Sequence, residues 1–252
     1  CNQASGLSSA TQMVTPAFIA SDAGRSMSKF LHSGAVVYVG EMSQNPLEAI
    51  QAARDAYQRC AWADATDLFV RADAESQLEV IDLEALVWAA GIAAKDREML
   101  AALERLYAHY AAGDDHEQCA RAAFWCGLRN MLIGEAVLGS GWLQRAARHA
   151  EHTPTECVQR GYLLLPQTFM LRRKGDYETA VNLAERAIEI GENGGEPDLV
   201  ALACSIKGGT LFRLGRIDEG YVPIDEAMLL ASSGRLSPLV SGIVYCEIVA
   251  SC

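Results

Sequence analysis

Two pairs of side chains in this 252-residue chain have the spacing of metal ligands on a helix. His116 and Cys119 are one helical turn apart, as are His149 and His152, so each pair would share one helix face. A zinc site needs at least a third ligand close in space, and His149 follows Arg148 at what should be a solvated helix end. We therefore predict no metal site and no cofactor.

Catalytic motifs are equally sparse. The sequence contains no P-loop ending in Gly-Lys-Ser or Gly-Lys-Thr, no Gly-x-Ser-x-Gly nucleophile motif and no His-Glu-x-x-His zinc motif. The adjacent carboxylates of Asp114 and Asp115 fit a polar turn between helices better than an acid/base pair. Because no nucleophile can be matched with a base, we predict that the protein is not an enzyme.

A repeat of about forty residues organises the chain that carries these side chains. In its clearest copy, the positions Tyr177, Ala180, Ala184 and Ala187 follow Gly175 at helical steps of three and four. The register positions of the five copies are Cys60, Ala94, Gly134, Gly175 and Gly215, separated by 34, 40, 41 and 40 residues. This period predicts an all-α fold, a right-handed α-solenoid of antiparallel helix pairs with about five repeats and the start of a sixth.

Small residues predict a close helix crossing inside each repeat. Gly127 and Gly208 lie seven residues before their register positions, where Thr168 stands in the copy between them. Gly139 and Gly220 occupy a matching phase of the second helix. A glycine inside a helix costs about 1 kcal/mol relative to alanine, so glycines on both helices indicate that two backbones approach closely there.

Capping residues and prolines set the predicted helix boundaries. The segment 153–156, Thr-Pro-Thr-Glu, has the form of a capping box, and Ser237-Pro238 repeats the device. Gly191, Gly194 and Gly195 fit one helix stop and Gly234 fits another, whereas Pro166 predicts a kink inside a helix. The expected helices span residues 47–58, 62–74, 82–94, 97–111, 116–133, 136–150, 154–173, 177–190, 198–213, 218–232 and 238–252.

Composition excludes several classes of partner. With 32 acidic and 21 basic residues the net charge is −11, so we expect no nucleic-acid binding by this segment. No uncharged apolar stretch is long enough to span a bilayer, so we expect no membrane contact. Four of the eight cysteines, Cys60, Cys126, Cys204 and Cys246, recur with the repeat among alanine, glycine and aliphatic residues, which predicts buried, reduced thiols in a cytoplasmic protein.

The two ends of the sequence differ from the repeats. Residues 1–41 show no repeat and are rich in Ser, Ala and Gly, and we expect them to be a flexible or non-native segment. The expected native start is Met42, with Met27 as the alternative and a secretory signal as a competing interpretation. Residues 42–252 are expected to form the repeat domain, and Cys252 falls within the first helix of a sixth repeat, so the domain is expected to be truncated.

The predicted solenoid offers a concave groove lined by the first helix of each pair. We predict that this groove binds a protein or peptide partner, or a small-molecule effector, with self-association left open. Aromatic and arginine side chains favour such interfaces. The candidate residues are Arg121, Phe124, Tyr162, Phe169, Arg172 and Phe212. An alternative places Phe124 and Phe169 in the core between repeats.

The segment 175–180, with Ala184 and Ala187, resembles a tetratricopeptide repeat. The longer period, together with segments 123–128, 161–166, 198–202 and 237–246, resembles the repeat region of bacterial LuxR-type transcriptional regulators. This resemblance covers about residues 45–252. It implies a sensor and interaction platform in a protein whose DNA-binding helix-turn-helix lies in a C-terminal module outside this sequence.

Three functions remain open from the sequence. The first is the interaction and sensing region of a LuxR-type regulator, and the second is a free-standing repeat adaptor that binds a peptide or protein partner. The third is an enzyme that uses the groove as a pocket, which would need a convergent polar site with perturbed acids or bases.

Overall fold

The computed structural model describes residues 46–251, and within them it contains twelve α-helices and no strand. None of these helices combines the length and the hydropathy that a bilayer span requires. The predictions about residues 1–41, Met27 and Met42 lie outside the described residues. The helices are α1 (Pro46–Gln58), α2 (Trp62–Glu75), α3 (Val80–Ile92), α4 (Asp96–Ala112), α5 (His116–Leu132), α6 (Ala136–Ala150), α7 (Val158–Tyr162), α8 (Leu164–Lys174), α9 (Tyr177–Gly194), α10 (Pro197–Arg213), α11 (Ile217–Ser232) and α12 (Pro238–Ser251).

These helices form five consecutive pairs and the start of a sixth, as predicted. The pairs are α1 with α2, α3 with α4, α5 with α6, α7–α8 with α9, and α10 with α11. Each pair also contacts the next one along the chain, and α12 packs on α10 and α11. The predicted α-solenoid is therefore confirmed, because each hairpin buries its apolar face against its neighbours.

All five register positions adopt the left-handed backbone conformation at the turn inside a repeat. The φ angle is 58° at Cys60, 55° at Ala94, 92° at Gly134, 80° at Gly175 and 76° at Gly215. At each turn the amide of the register residue donates to the carbonyl three residues earlier, and the next amide donates to the carbonyl five residues before it. This bonding satisfies the last carbonyls of the first helix and reverses the chain at the same phase in every repeat.

The predicted close crossings are confirmed where glycine stands on both helices. A Cβ atom on Gly127 would lie 3.1 Å from the carbonyl oxygen of Gly139, and one on Gly208 would lie 2.8 Å from that of Gly220. The equivalent positions of the fourth repeat, Thr168 and Ala180, are fully buried. The backbones of α5 and α6, and of α10 and α11, therefore meet with no room for a side chain between them.

The fourth repeat departs from this regularity. Instead of one kinked helix over 154–173, the structure has α7 and α8 with a break at Leu163, and Pro166 lies in the first turn of α8. Backbone amides in the first turn of a helix have no acceptor within that helix, so a proline there costs no hydrogen bond. Starting a new helix just before Pro166 therefore avoids the bond that a continuous helix would lose. The predicted capping box is also wrong, because no helix begins after Thr153. The Thr153 hydroxyl instead donates a hydrogen bond to the Ala150 carbonyl oxygen (2.8 Å).

Other predicted boundaries hold. Gly195 (φ 66°) ends α9 and Gly234 (φ 71°) follows α11. The Ser237 hydroxyl accepts a hydrogen bond from the Val240 amide (3.4 Å) at the start of α12, as predicted for a cap followed by Pro238. Gly191, in contrast, is buried inside α9 rather than at its end.

Histidines from three segments meet at the C-terminal end of α6. The Nδ1 atoms of His116 and His149 are 2.9 Å apart, and the Tyr107 hydroxyl lies 3.0 Å from His149 Nε2. The ring of His152 stacks on that of His116 with centroids 4.5 Å apart. Among the described residues no group of three or more His, Cys, Asp or Glu side chains has the arrangement of a metal site.

The cysteines only partly follow the sequence prediction. Cys126 and Cys204 are buried, and burial raises the pKa of each thiol to about 12, so neither is a reactive thiolate at neutral pH. Cys60 lies in an exposed turn and Cys246 is exposed on α12, which corrects the prediction that both are buried. The cysteines of residues 46–251 are all free.

Two glycines of α6 provide a test of the close crossing. We expect Gly139→Ala to lower the free energy of unfolding by about 1–3 kcal/mol, because its Cβ would lie 2.9 Å from the Gly127 carbonyl oxygen. The matched control Gly141→Ala faces open space and should raise the free energy of unfolding by about 0.5–1 kcal/mol through helix propensity. Urea unfolding measures both, and equal effects of the two substitutions would refute the crossing.

The histidine cluster predicts a loss of stability at mildly acidic pH. Burial, followed by the neighbouring His116, His152 and Arg148, lowers the pKa of His149 below its usual value near 6.5. The unfolded chain therefore binds more protons, so this contribution to stability is complete above about pH 7 and decreases as the pH falls through 6.5 toward the folded pKa.

His149→Gln should therefore reduce the difference in unfolding free energy between pH 7.5 and pH 5.5. His109, exposed on α4, provides the control, and His109→Gln should leave the difference unchanged. The proposed role of His149 is contradicted if the pH dependence of its variant equals that of the parent chain.

Candidate functional site

The inner helices of the solenoid pack against one another, so much of the predicted concave groove is closed. The rings of Phe124 on α5 and Tyr162 on α7 are in contact, with centroids 5.1 Å apart, and both side chains are buried. The last helix of the solenoid, α12, also contacts α3 of the second repeat, near Leu239 and Gly91. Phe124 thus belongs to the core between repeats, the alternative that the sequence left open.

Tyr162 and Arg172 are held by carboxylates of other helices. The Tyr162 hydroxyl donates to Glu196 (2.7 Å), and burial together with this carboxylate raises the pKa of the tyrosine. Arg172 on α8 forms an ion pair with Glu247 on α12 at 2.5 Å, and both side chains are more than four-fifths buried. These two predicted site residues therefore connect distant parts of the fold.

Arg121 borders a small cavity between α3, α4 and α5. Its guanidinium lies 5.8 Å from the centre of the Trp88 ring and 3.6 Å from the Glu84 carboxylate. Tyr110 donates to the same carboxylate at 3.0 Å, and its burial followed by this contact raises the tyrosine pKa to about 12. About 20 Å³ of space remains, which is room for a single water molecule.

The remaining predicted site residues lie apart from one another. Phe169 is 37% exposed beneath the guanidinium of Arg172, 5.4 Å from the ring centre, so the alternative that buries Phe169 is wrong. Phe212 packs over Gly220 and edge-on against Tyr221. The six predicted residues therefore do not form one open surface.

A wide, open concavity lies between α6 on one side and α8 and α9 on the other. We call it the α6–α8 groove, and its volume is about 700 Å³. The connection 151–157 separates α6 from α8, and these two helices are not in close contact. Its lining residues are Ser140, Leu143, Gln144, Ala147, Ala150, Glu151, Thr155, Arg160, Leu163, Leu164, Pro166, Gln167, Met170, Leu171, Lys174, Leu183, Arg186 and Ile190.

Apolar side chains form much of the groove surface. Leu143, Leu164, Leu171 and Leu183 are each half-buried, and Met170 is 47% exposed. At other junctions between repeats the second helix of one pair packs directly on the first helix of the next, α2 on α3, α4 on α5 and α9 on α10. The groove is thus a place where the solenoid leaves an apolar surface without a covering helix.

Arg160 closes the end of the groove near the connection 151–157. Its Nη2 atom donates to the carbonyl oxygens of Thr153 (2.8 Å) and Glu151 (3.3 Å), which holds the connection in place. Its Nε atom is buried and has no hydrogen-bond partner in the described part of the chain. The sequence signals that could have located this groove are Pro166 and the long connection, which interrupt the regular spacing of helices.

Comparisons with known proteins identify no family for this chain. No protein-family model matches the sequence, and no curated protein matches it. Among solved structures, the TPR-like repeats of a Podosopora anserina protein assigned as a kinesin light chain align over 77% of this chain and 100% of that chain, with 15% identity and a TM-score of 0.46. The MamA protein aligns over 76% of this chain and 94% of its own, with 15% identity and a TM-score of 0.43. At these values the similarity says nothing about what this chain binds.

Proposed function

We propose that this chain is a non-catalytic interaction domain that binds a protein partner in the α6–α8 groove. The observation that carries the proposal is the open apolar surface between α6 and α8, two helices that do not pack closely on each other as α2 does on α3, α4 on α5 and α9 on α10. Apolar surface that a stack leaves open favours docking of another protein. The groove residues are aliphatic side chains, amides and a few charges, which suit surface contact rather than bond-making chemistry.

The groove suits a protein segment better than a small effector. Small-molecule sites enclose most of the ligand surface within a concave pocket. The α6–α8 groove has helices on two sides, with the connection 151–157 and Arg160 at one end. A bound chain segment can extend along such a trough and remain partly exposed, so we place the protein partner first.

The larger context that we propose is a cytoplasmic LuxR-type transcriptional regulator. In that proposal these repeats act as its sensor and interaction region, and a separate helix-turn-helix module binds DNA. The alternative is a free-standing adaptor that uses the same groove. Sequencing the gene beyond the Cys252 codon distinguishes them, since a basic helix-turn-helix supports the regulator and an early stop codon supports the adaptor.

Site-specific photo-crosslinking in the native cell tests the groove itself. A photoreactive phenylalanine at Gln167, which is exposed in the groove, should form an adduct with a protein of one defined mass. Met170→Glu in the same chain should reduce that adduct roughly tenfold, because a charge facing the apolar surface removes about 1.4 kcal/mol of binding energy.

The control places the same crosslinker at Leu229, which is 67% exposed on α11 and outside the groove. We expect no adduct of that mass from position 229. The proposed function is refuted if both positions give the same adduct, if position 167 gives none, or if Met170→Glu leaves the adduct unchanged.

A further inference from the structure

We propose that the partner element that fills the α6–α8 groove is an acidic, amphipathic α-helix. This inference rests on the proposed function and adds the shape and charge of the bound segment. The shape follows from the spacing of the residues that form the walls, and the charge follows from unpaired cations along the rim.

Each wall of the groove is a single helical stripe. On α6, Ser140, Gln144 and Ala147 follow at steps of four and three residues, and Glu151, the C-cap residue of α6, continues the stripe. On α8, Leu164, Gln167, Leu171 and Lys174 do the same, and Leu183, Arg186 and Ile190 form a shorter stripe on α9. The two longer stripes extend about 15 Å at 1.5 Å per residue, which is the length of a three-turn helix.

Small side chains on α6 allow another helix to approach closely. Ser140 begins its exposed stripe and Ala147 lies within it, with Leu143 between them in the chain. Helices pack with axes about 8–10 Å apart where small residues line the contact, and ridges of side chains fit between neighbouring rows. A partner helix bound between α6 and α8 would therefore fill the gap beside the connection 151–157. Leucines on one face of that partner helix would pack against the apolar groove surface.

The charge of the groove differs in sign from that of the whole chain. Arg160, Lys174 and Arg186 line it, and Glu151 is its one carboxylate among the described residues. None of these three cations forms a salt bridge within residues 46–251, whereas the chain as a whole carries a charge of −11.

Lys174 and Arg186 are exposed, so carboxylates of a bound helix could reach them. Charge complementarity of this kind selects partners and sets their orientation. At physiological salt the Debye length is about 8 Å, so these nearby cations outweigh the distant acidic residues for a bound helix. The occupant should therefore carry Glu or Asp on the faces beside its apolar stripe.

Two designed peptides test this inference on the complete chain. Both are stapled helices of about fourteen residues with leucine at positions i, i+3, i+4, i+7 and i+11, and the remaining positions are glutamate in one and lysine in the other. Fluorescence anisotropy should show saturable, one-site binding of the glutamate peptide and much weaker binding of the lysine peptide. Binding of the glutamate peptide should weaken as salt is added.

Charge reversal at the rim should change the preference. The double variant Lys174→Glu with Arg186→Glu should bind the glutamate peptide about tenfold more weakly and gain affinity for the lysine peptide. The control Arg59→Glu with Arg71→Glu alters two exposed arginines outside the groove and changes the net charge equally. This control variant should bind the glutamate peptide with an affinity within about twofold of that of the parent chain. Circular dichroism should confirm that all variants stay folded.

The results distinguish failure of this inference from failure of the proposed function on which it rests. Equal binding of both peptides, no binding of the glutamate peptide, or an equal effect of the control variant overturns the acidic helix. If Met170→Glu still abolishes peptide binding, the groove remains the binding site and only its charge preference fails. If Met170→Glu changes no peptide affinity, the groove itself is not the site.

Sedimentation of the chain without peptide tests the other occupant. We expect a monomer whose mass Met170→Glu does not change. A dimer that Met170→Glu dissociates would identify a second copy of this chain as the occupant, and would overturn the proposed partner helix.

Discussion

The stack depends on a close approach of the two helix backbones inside a repeat, which glycine on both helices allows in the third and fifth repeats. The two positions that meet there, Gly127 with Gly139 and Gly208 with Gly220, lie seven residues before and five residues after the left-handed turn. The same two positions are buried in the other repeats, where they are Ala53 and Ala65, Val87 and Met99, and Thr168 and Ala180. Together with the turn, this contact determines the angle of each hairpin, and successive hairpins can then stack.

The fourth repeat shows what happens when the stacking rule is interrupted. Pro166 cannot continue a helix from the preceding turn without losing a hydrogen bond, and the chain instead breaks at Leu163 and restarts. The connection 151–157 is longer than the turns elsewhere, and Arg160 and Thr153 hold it in place through hydrogen bonds to carbonyl oxygens. The displaced helix leaves leucines of α6 and α8 facing each other across an open groove.

Packing of the inner helices moves the candidate binding surface away from the concave side. Phe124 and Tyr162 fill the space between α5 and α7, and the Arg172–Glu247 pair connects α8 with α12. Breaking that pair would leave a largely buried charge without its partner, which is strongly destabilising. Tyr162 and Arg172, which an open solenoid would present to a ligand, therefore hold neighbouring helices of this solenoid together. The α6–α8 groove, in contrast, remains accessible.

Local sequence patterns by themselves determined the helix pairs, their order and the crossings of Gly127 with Gly139 and Gly208 with Gly220, because these depend on residues close in the chain. The same patterns predicted a buried Cys60, although its side chain is exposed in the turn, because they do not reveal which way a non-glycine residue at positive φ faces. Whether Tyr162 and Arg172 face solvent or the core depends on how tightly the coil closes, and therefore on contacts between residues as distant as 172 and 247. Only the tertiary structure decided which of these side chains are buried. The long connection and Pro166 change the relative positions of whole helices, and local periodicity in the sequence does not predict those positions.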